Sequence, residues 1–279
     1  MSQIGRRSFV ASAAKGVAMV AAAPWFGSRL GAIPAAEART GASGYFAREF
    51  GISEELCRKV LARALARGGD FADLFFEHTV SSWVSLEDGK VNRAAGDVAL
   101  GVGIRTVNGD QVGYGFTQEL TEEAMVRAAA IAASIANDSA GRVAEVFSVP
   151  ALAGYYPVDR LLSSVPLEEK VRLVEALNAR CFTRSSLVAK ANVTFHDQER
   201  RILVVTSDGV WTEDLQPRSY LMASATTERG GRRERAYWSH GGRYPFTEYT
   251  SAVVEEVADV AVQRAVTLLD AIQPPAGEM

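Results

Sequence analysis

The residues that could carry out chemistry are few and widely spaced in this 279-residue sequence. None of its three histidines begins an H-E-x-x-H helix motif, and each lies in an alternating, strand-like segment. They are His78, His196 and His240. Cys57 and Cys181 show no C-x-x-C spacing, which predicts two buried free thiols rather than a disulfide or a zinc site. The sequence therefore predicts no catalytic, cofactor-binding or metal-ligating residue in this chain.

Two acidic pairs and two glycine-rich segments are the next candidates for a site. Glu87-Asp88 and Glu213-Asp214 stand at a predicted turn and a strand end, where acidic residues commonly lie, so we do not expect catalysis from them. Gly101-Val102-Gly103 and Gly113-Tyr114-Gly115 lie within strands, with no helix following in the frame that phosphate binding needs. Glycines in strands indicate bulges or the close approach of another backbone, including that of an extended peptide.

Four arginines cluster between residues 229 and 235: Arg229, Arg232, Arg233 and Arg235. They allow two interpretations. One is a site for an anion or an acidic partner. The other, which is the commoner use, is that their charges keep an exposed edge strand from pairing with another sheet.

Composition places the chain among ordinary globular proteins. Hydrophobic residues make up 48% and charged residues 23% of the sequence, and the net charge is −3. General nucleic-acid binding requires a basic face, so this charge argues against it.

The N-terminus is typical of a twin-arginine export signal. Arg6-Arg7 precede Phe9 and an Ala/Val/Gly-rich run, and Ala36-Glu37-Ala38 offers an A-x-A cleavage site. The run is too short and too rich in glycine and alanine to span a membrane stably. The sequence predicts a signal over residues 1–38 and a periplasmic protein, or a cytoplasmic one if the signal is not used. A buried or amphipathic N-terminal helix is the alternative, and residues 39–50 are predicted to be flexible.

The strongest structural pattern covers Phe71–Phe116. Alternating residues broken by Asp88-Gly89 and Asn108-Gly109 predict an antiparallel meander of about four strands, because these dipeptides form tight hairpin turns. A helix is predicted before it, from Ser53 to Ala66, and another after it, from Thr121 to Ala136.

The second half of the chain repeats this order of elements. A helix beginning near Pro166 precedes strands over Leu187–Arg243, which turn at Asp208-Gly209 and Gly230-Gly231, and a helix covers Ser251–Ala271. Gly89 matches Gly209, and His78 matches His196. The repeat predicts an internal duplication within one domain at residues 51–279, with units at about 51–137 and 166–272 and a connector at 138–165. We expect an α+β fold in which helices pack on one face of one or two antiparallel sheets.

Several segments resemble the N-terminal region of the TldD/PmbA (TldD/TldE) metallopeptidase family in order and spacing. They are Ala72–Glu77, Leu86–Val91, Gly101–Arg105, Gly113–Thr117 and Pro275–Glu278. The resemblance runs from about Ser53 to Met279. It implies that members are zinc-dependent proteases of unfolded peptides, which enter the enzyme as added strands. It further implies that a TldD-type subunit pairs with a metal-free PmbA/TldE-type subunit.

The family holds its zinc in a C-terminal domain, through an H-E-x-x-x-H helix and a distant cysteine. These 279 residues contain no such motif, so the resemblance assigns no metal ligand and no cofactor to this chain. We therefore expect the non-catalytic N-terminal region of a TldD-like zinc metalloprotease, truncated before the metal-binding motif. The alternative is a stand-alone module that binds peptide or assembles with a PmbA/TldE-like partner or with itself.

Overall fold

The computed structural model describes residues 44–87, 89–135, 144–150, 158, 160–272 and 277. Ala38–Met279 form one compact unit. The predicted export signal lies outside the described residues and stays a prediction, as does the role of Asp88. The helices are α1 (Tyr45–Phe50), α2 (Glu54–Ala64), α3 (Glu122–Ala132), α4 (Leu167–Arg184) and α5 (Ser251–Leu269). The strands are β1 (Phe71–Glu87), β2 (Lys90–Asn108), β3 (Gln111–Thr117), β4 (Val188–Thr206), β5 (Trp211–Arg229) and β6 (Arg232–Gly242).

All six strands form a single antiparallel sheet in the order β3-β2-β1-β4-β5-β6. β1 and β4 are its central pair, in register from Asp73 opposite Thr206 to Glu87 opposite Asn192. The first meander has three strands rather than about four, because β1 and β2 run without a break for 17 and 19 residues. Its two turns use Gly89 and Gly109, whose φ angles of 72° and 58° are costly for other residues.

The helices pack on one face of this sheet, as the alternation predicts. Leu74 and Phe76 of β1 point to that face and are fully buried, whereas Phe75 between them points to the opposite face and is exposed. Two hydrophobic clusters lie under the helices. One joins the α1–α3 side to β1 and β2, and the other joins α4 and α5 to β4 and β5. The confirmed class is therefore α+β. The described helices cover one face of the sheet and leave the other, here called the open face, uncovered.

Local signals position the helix ends. The Ser53 hydroxyl accepts a hydrogen bond from the Leu56 N–H at 3.1 Å, and that of Thr121 accepts one from the Ala124 N–H at 3.3 Å. Helix α1 lies within the segment predicted to be flexible. It forms because Phe46 is fully buried and the Glu213 carboxylate accepts the Tyr45 N–H at 2.6 Å.

The two halves share the order helix, three-strand meander, helix, but His78 and His196 are not equivalent. Nδ1 of His78 lies 2.7 Å from the hydroxyl of Tyr45 in α1, on the helix-covered face. His196 stacks between Trp83 and Tyr220 on the open face. Equivalent positions of the two meanders should point to the same face of the sheet, but these two residues point to opposite faces. Matching them by sequence spacing was therefore wrong, since a shift of one residue along a strand reverses the face.

Candidate functional site: the open face of the sheet

The structure does not bring the histidines and cysteines together. No group of three or more His, Cys, Asp or Glu side chains that could hold a metal occurs within the described part of the chain. His240 lies near the end of β6, opposite Leu221 of β5, and its Nε2 is 3.4 Å from Glu248. Burial raises the pKa of Cys57 above its usual value and that of Cys181 to about 12, so neither is a ready thiolate. These residues do not fit a zinc site.

The two glutamates of the acidic pairs have structural partners. Glu87 accepts hydrogen bonds from Lys190 and Asn92. Glu213 binds the first turn of α1, and burial raises the pKa of its carboxyl group. These contacts account for Glu87 and Glu213 without a catalytic role.

Each arginine of the 229–235 hairpin is also held within the chain. Arg229 pairs with Asp270, and Arg233 pairs with Glu228 at 2.7 Å. Arg232 donates to Glu234 and to the carbonyls of Leu268 and Ala271, and Arg235 donates to Ser224. Because their guanidinium groups are engaged and β6 is an edge strand, protection of the edge is the better interpretation than an anion site.

Sequence reasoning missed a buried polar cluster in the middle of the helix-covered face. The Lys170 ammonium lies 2.7 Å from Asp197 and 2.8 Å from the Ser82 hydroxyl, which donates to Asp197 at 2.8 Å. The Lys170 and Asp197 side chains are only 5% and 2% exposed. Serine beside lysine can be a nucleophile, but a lysine ion-paired to a carboxylate has no free lone pair with which to accept the serine proton. The cluster is therefore structural. No sequence signal could have found it, because its members come from β1, α4 and β4.

The open face carries an aromatic row across three strands, which an arginine extends to a fourth. Trp83 of β1, His196 of β4 and Tyr220 of β5 stack in sequence, with ring centroids 6.0 Å and 5.1 Å apart. The Arg93 guanidinium of β2 lies over the Trp83 ring, 4.6 Å from its centroid. These residues lie side by side because they are at neighbouring positions on the same face of successive strands. Trp83 and His196, for example, are directly opposite each other.

A second apolar group lies on the same face, toward β3. Val112, Tyr114 and Phe116 alternate along this strand and are 56%, 60% and 72% exposed, and Phe75 of β1 is exposed nearby. The Tyr114 ring lies over Gly103, where an added Cβ would collide with it. Gly103 thus leaves room for the Tyr114 ring. This is a close approach of the kind that glycines within strands indicate.

Polar atoms on this face lack partners. Nε1 of Trp83, Nδ1 of His196, Oδ1 of Asn192 and Nε of Arg200 are inaccessible to solvent and make no hydrogen bond within the described chain. An unsatisfied buried polar group costs about 1–3 kcal/mol. Several polar groups of the open face are therefore left without a hydrogen-bond partner by the described chain.

The position of His196 in this row predicts a pH dependence of stability. Burial lowers its pKa below the ordinary 6.5, an effect that Asp197 opposes and Arg218 reinforces. Between the lowered pKa and 6.5 the unfolded chain binds more protons than the folded one, so the free energy of unfolding decreases as pH falls through this window.

We expect His196→Gln to reduce this decrease without abolishing it, because burial lowers the pKa of His78 as well and gives the same sign. Urea unfolding from pH 5 to pH 7.5 measures the effect. Parallel curves for the variant and the unchanged protein would contradict it.

Comparison with known proteins agrees with this architecture. Residues 72–136 match the model of the PmbA/TldA metallopeptidase domain 1, and residues 160–269 match that of the PmbA/TldA metallopeptidase central domain. The chain is 27% identical over 221 residues to a metalloprotease TldD homologue of Haemophilus influenzae, covering 76% of this chain and 46% of that protein. A TldD homologue of Buchnera aphidicola is 25% identical over 191 residues, covering 68% and 38%.

Solved structures show the same fold. A candidate modulator of DNA gyrase from Thermotoga maritima superposes with a TM-score of 0.64 at 18% identity, covering 80% of this chain and 50% of that one. TldE from Thermococcus kodakarensis gives 0.55 at 15% identity, covering 76% and 47%. The chain spans about half the length of the curated relatives it matches. No helix in the described part of the chain is long and apolar enough to cross a membrane. Matches to both family domains, in the observed order of elements, show that the chain belongs to the PmbA/TldD metallopeptidase family.

Proposed function

We propose that these residues form the non-catalytic N-terminal region of a TldD-like zinc metalloprotease, and that the open face of the sheet binds polypeptide. The chain contributes a surface for an extended or unfolded segment, while zinc and peptide hydrolysis belong to a catalytic part that this sequence does not contain. Family membership and the lack of a plausible zinc site among the described residues support this division.

The observation that carries the proposal is the aromatic and apolar character of a face that the described helices leave open. The solvated face of an antiparallel sheet is usually polar, and large exposed apolar patches mark interaction sites. Here Trp83, Tyr220, Tyr114 and Phe116 lie on that face. Tyrosine and tryptophan are also the residues most enriched among those that dominate binding energy.

The unsatisfied polar atoms favour polypeptide over an anion. Trp83 Nε1 and Arg200 Nε carry hydrogen-bond donors, whereas Asn192 Oδ1 is an acceptor. A phosphate or carboxylate could satisfy only the donors. A peptide backbone offers both N–H and C=O groups, so small side-chain rotations would allow it to satisfy both kinds.

Binding of a permanently unfolded probe tests the proposal. A carboxymethylated, fluorescein-labelled polypeptide should bind Ala38–Met279. The Trp83→Ala, Tyr220→Ala double variant should bind at least roughly 30-fold more weakly, because the loss of even one hot-spot aromatic residue costs about 2 kcal/mol or more. Fluorescence anisotropy measures the affinity. Phe182→Ala, which removes an exposed ring from α4, is the matched control and should bind normally. Equal affinities for all three proteins would refute the binding surface.

A second measurement tests the proposal that zinc binding and catalysis lie outside these residues. Metal analysis of the same purified region should find no stoichiometric zinc, and the labelled polypeptide should remain uncleaved. One tight zinc per chain would overturn the proposal that the catalytic part lies elsewhere.

A further inference from the structure

The outer edge of β2 is unpaired over residues 90–100. β1 pairs with the inner side of β2 along its whole length, but β3 covers the outer side only from Val102 to Asn108. No residue that the structure describes pairs with the remaining outer edge. A free strand edge presents a row of N–H and C=O groups and is a template for another strand.

Within the described chain, this edge has neither the proline nor the intrachain ion pairs that occur on the other edges of the sheet. β6 carries paired arginines. The part of β5 that extends beyond β6 contains Pro217, and Trp211 bonds to Ser148 there. Residues 90–100 contain no proline, and most are exposed and small. Val98 is 62% exposed, on the side of the sheet that the helices cover elsewhere.

We propose that a second copy of this chain pairs antiparallel along residues 90–100, joining two six-stranded sheets into one across a two-fold axis at Ala95. In this register Arg93 lies opposite the partner's Asp97, and Asp97 lies opposite the partner's Arg93. Opposite charges directly across an antiparallel pair are stabilising, and like charges are destabilising. The same strand therefore supplies both halves of two salt bridges.

Other symmetric registers are less favourable. A slip of one residue places the open face of one copy beside the helix-covered face of the other. Centring the pair on Ala94 or Gly96 keeps the faces matched but places Arg93 opposite an alanine, Ala95 or Ala99. Ala95 is also the midpoint of residues 90–100, so the free length of one copy matches that of the other and each β3 lies beyond the paired segment.

The charged residues are available for this contact. Within the described chain neither Arg93 nor Asp97 has an ion-pair partner, although the Arg93 guanidinium lies over Trp83. A guanidinium can stack on an aromatic ring through its face and bind a carboxylate through its edge. Arg93 can thus keep the ring contact and bind the partner's Asp97.

Sedimentation equilibrium of the full chain tests the proposal. A single strand pair buries a small interface, so the measurement is made at about 100 µM, where weak association is populated. The unchanged protein should have about twice its chain mass of 30.0 kDa. Arg93→Asp and Asp97→Arg should each reduce the mass to that of a monomer, because each places like charges opposite one another. Arg218→Asp, a charge reversal on β5, is the control and should leave the dimer intact.

Mixing the two single variants gives the decisive result. Arg93→Asp supplies two carboxylates and Asp97→Arg supplies two guanidinium groups, so an equimolar mixture should recover the dimer mass that each variant alone has lost. A monomeric unchanged protein, dimeric single variants, or a mixture that stays monomeric would each overturn the proposal. Circular dichroism confirms that the variants are folded.

This inference is independent of the proposed polypeptide-binding surface. Trp83→Ala with Tyr220→Ala should weaken peptide binding and leave the dimer mass unchanged. Failure of the unchanged protein to bind peptide would refute only the binding surface, and a monomeric mass of the unchanged protein would refute only the dimer.

Discussion

Lys170→Ala should lower the free energy of unfolding by about 3–5 kcal/mol, because it leaves the Asp197 carboxylate buried without its counter-charge. The two groups are 2.7 Å apart, and both side chains are almost completely buried. The Ser82 hydroxyl remains as a partner for Asp197, but a neutral donor does not replace a charge. Asp197→Ala should be equally costly, since it leaves the ammonium group unpaired. Urea denaturation at pH 7 measures both.

Two controls separate this effect from ordinary loss of contacts. Lys170→Met combined with Asp197→Leu removes both charges and should be far less damaging than either single alanine change, or even neutral. Arg127→Ala breaks an exposed i,i+4 pair with Glu123 and should cost only about 0.3–0.5 kcal/mol. A Lys170→Ala cost as small as that of Arg127→Ala would show that the buried pair does not contribute in this way.

Gly113→Ala should destabilise the protein by about 1–3 kcal/mol, because the added methyl group has no space. A Cβ at this position would overlap the carbonyl oxygen of Ala132 at the end of α3 and lie 3.0 Å from Cβ of Ile135. Gly115 faces the Ala128 carbonyl of the same helix in the same way. The helix must move away from β3 or the strand must bend, and the core beneath α3 loses contacts in either case.

Gly96→Ala is the matched comparison. Its added Cβ would lie 3.4 Å from the Ser81 carbonyl oxygen, an ordinary contact. Alanine in a strand is favoured over glycine by roughly 0.5–1 kcal/mol, so this change should be neutral or stabilising. Thermal unfolding should therefore show a lowered Tm for Gly113→Ala and an unchanged or raised Tm for Gly96→Ala. A Gly113→Ala protein as stable as the original would mean that α3 does not approach β3 closely.

The sequence by itself determined the repeated elements and the family. Neighbouring residues of a strand face opposite sides of the sheet, and turns such as those at Gly89 and Gly209 need positive φ. Both requirements act over a few residues, so both can be recognised in the local sequence. The same is true of the helix caps Ser53 and Thr121. The prediction of about four strands was wrong, because β1 and β2 continue through polar stretches that look like strand ends in the local sequence.

Only the tertiary structure decided which residues meet. Ser82, Lys170 and Asp197 form one buried cluster, and Trp83, His196 and Tyr220 form one aromatic row. Both groupings depend on the register between β1 and β4, and register is set by long-range packing of the whole sheet rather than by neighbours in sequence. The sequence positions of the three histidines form no metal motif, but they do not reveal that His196 lies within the aromatic row of the open face. That placement follows from the face on which a strand residue points, which a shift of a single residue reverses.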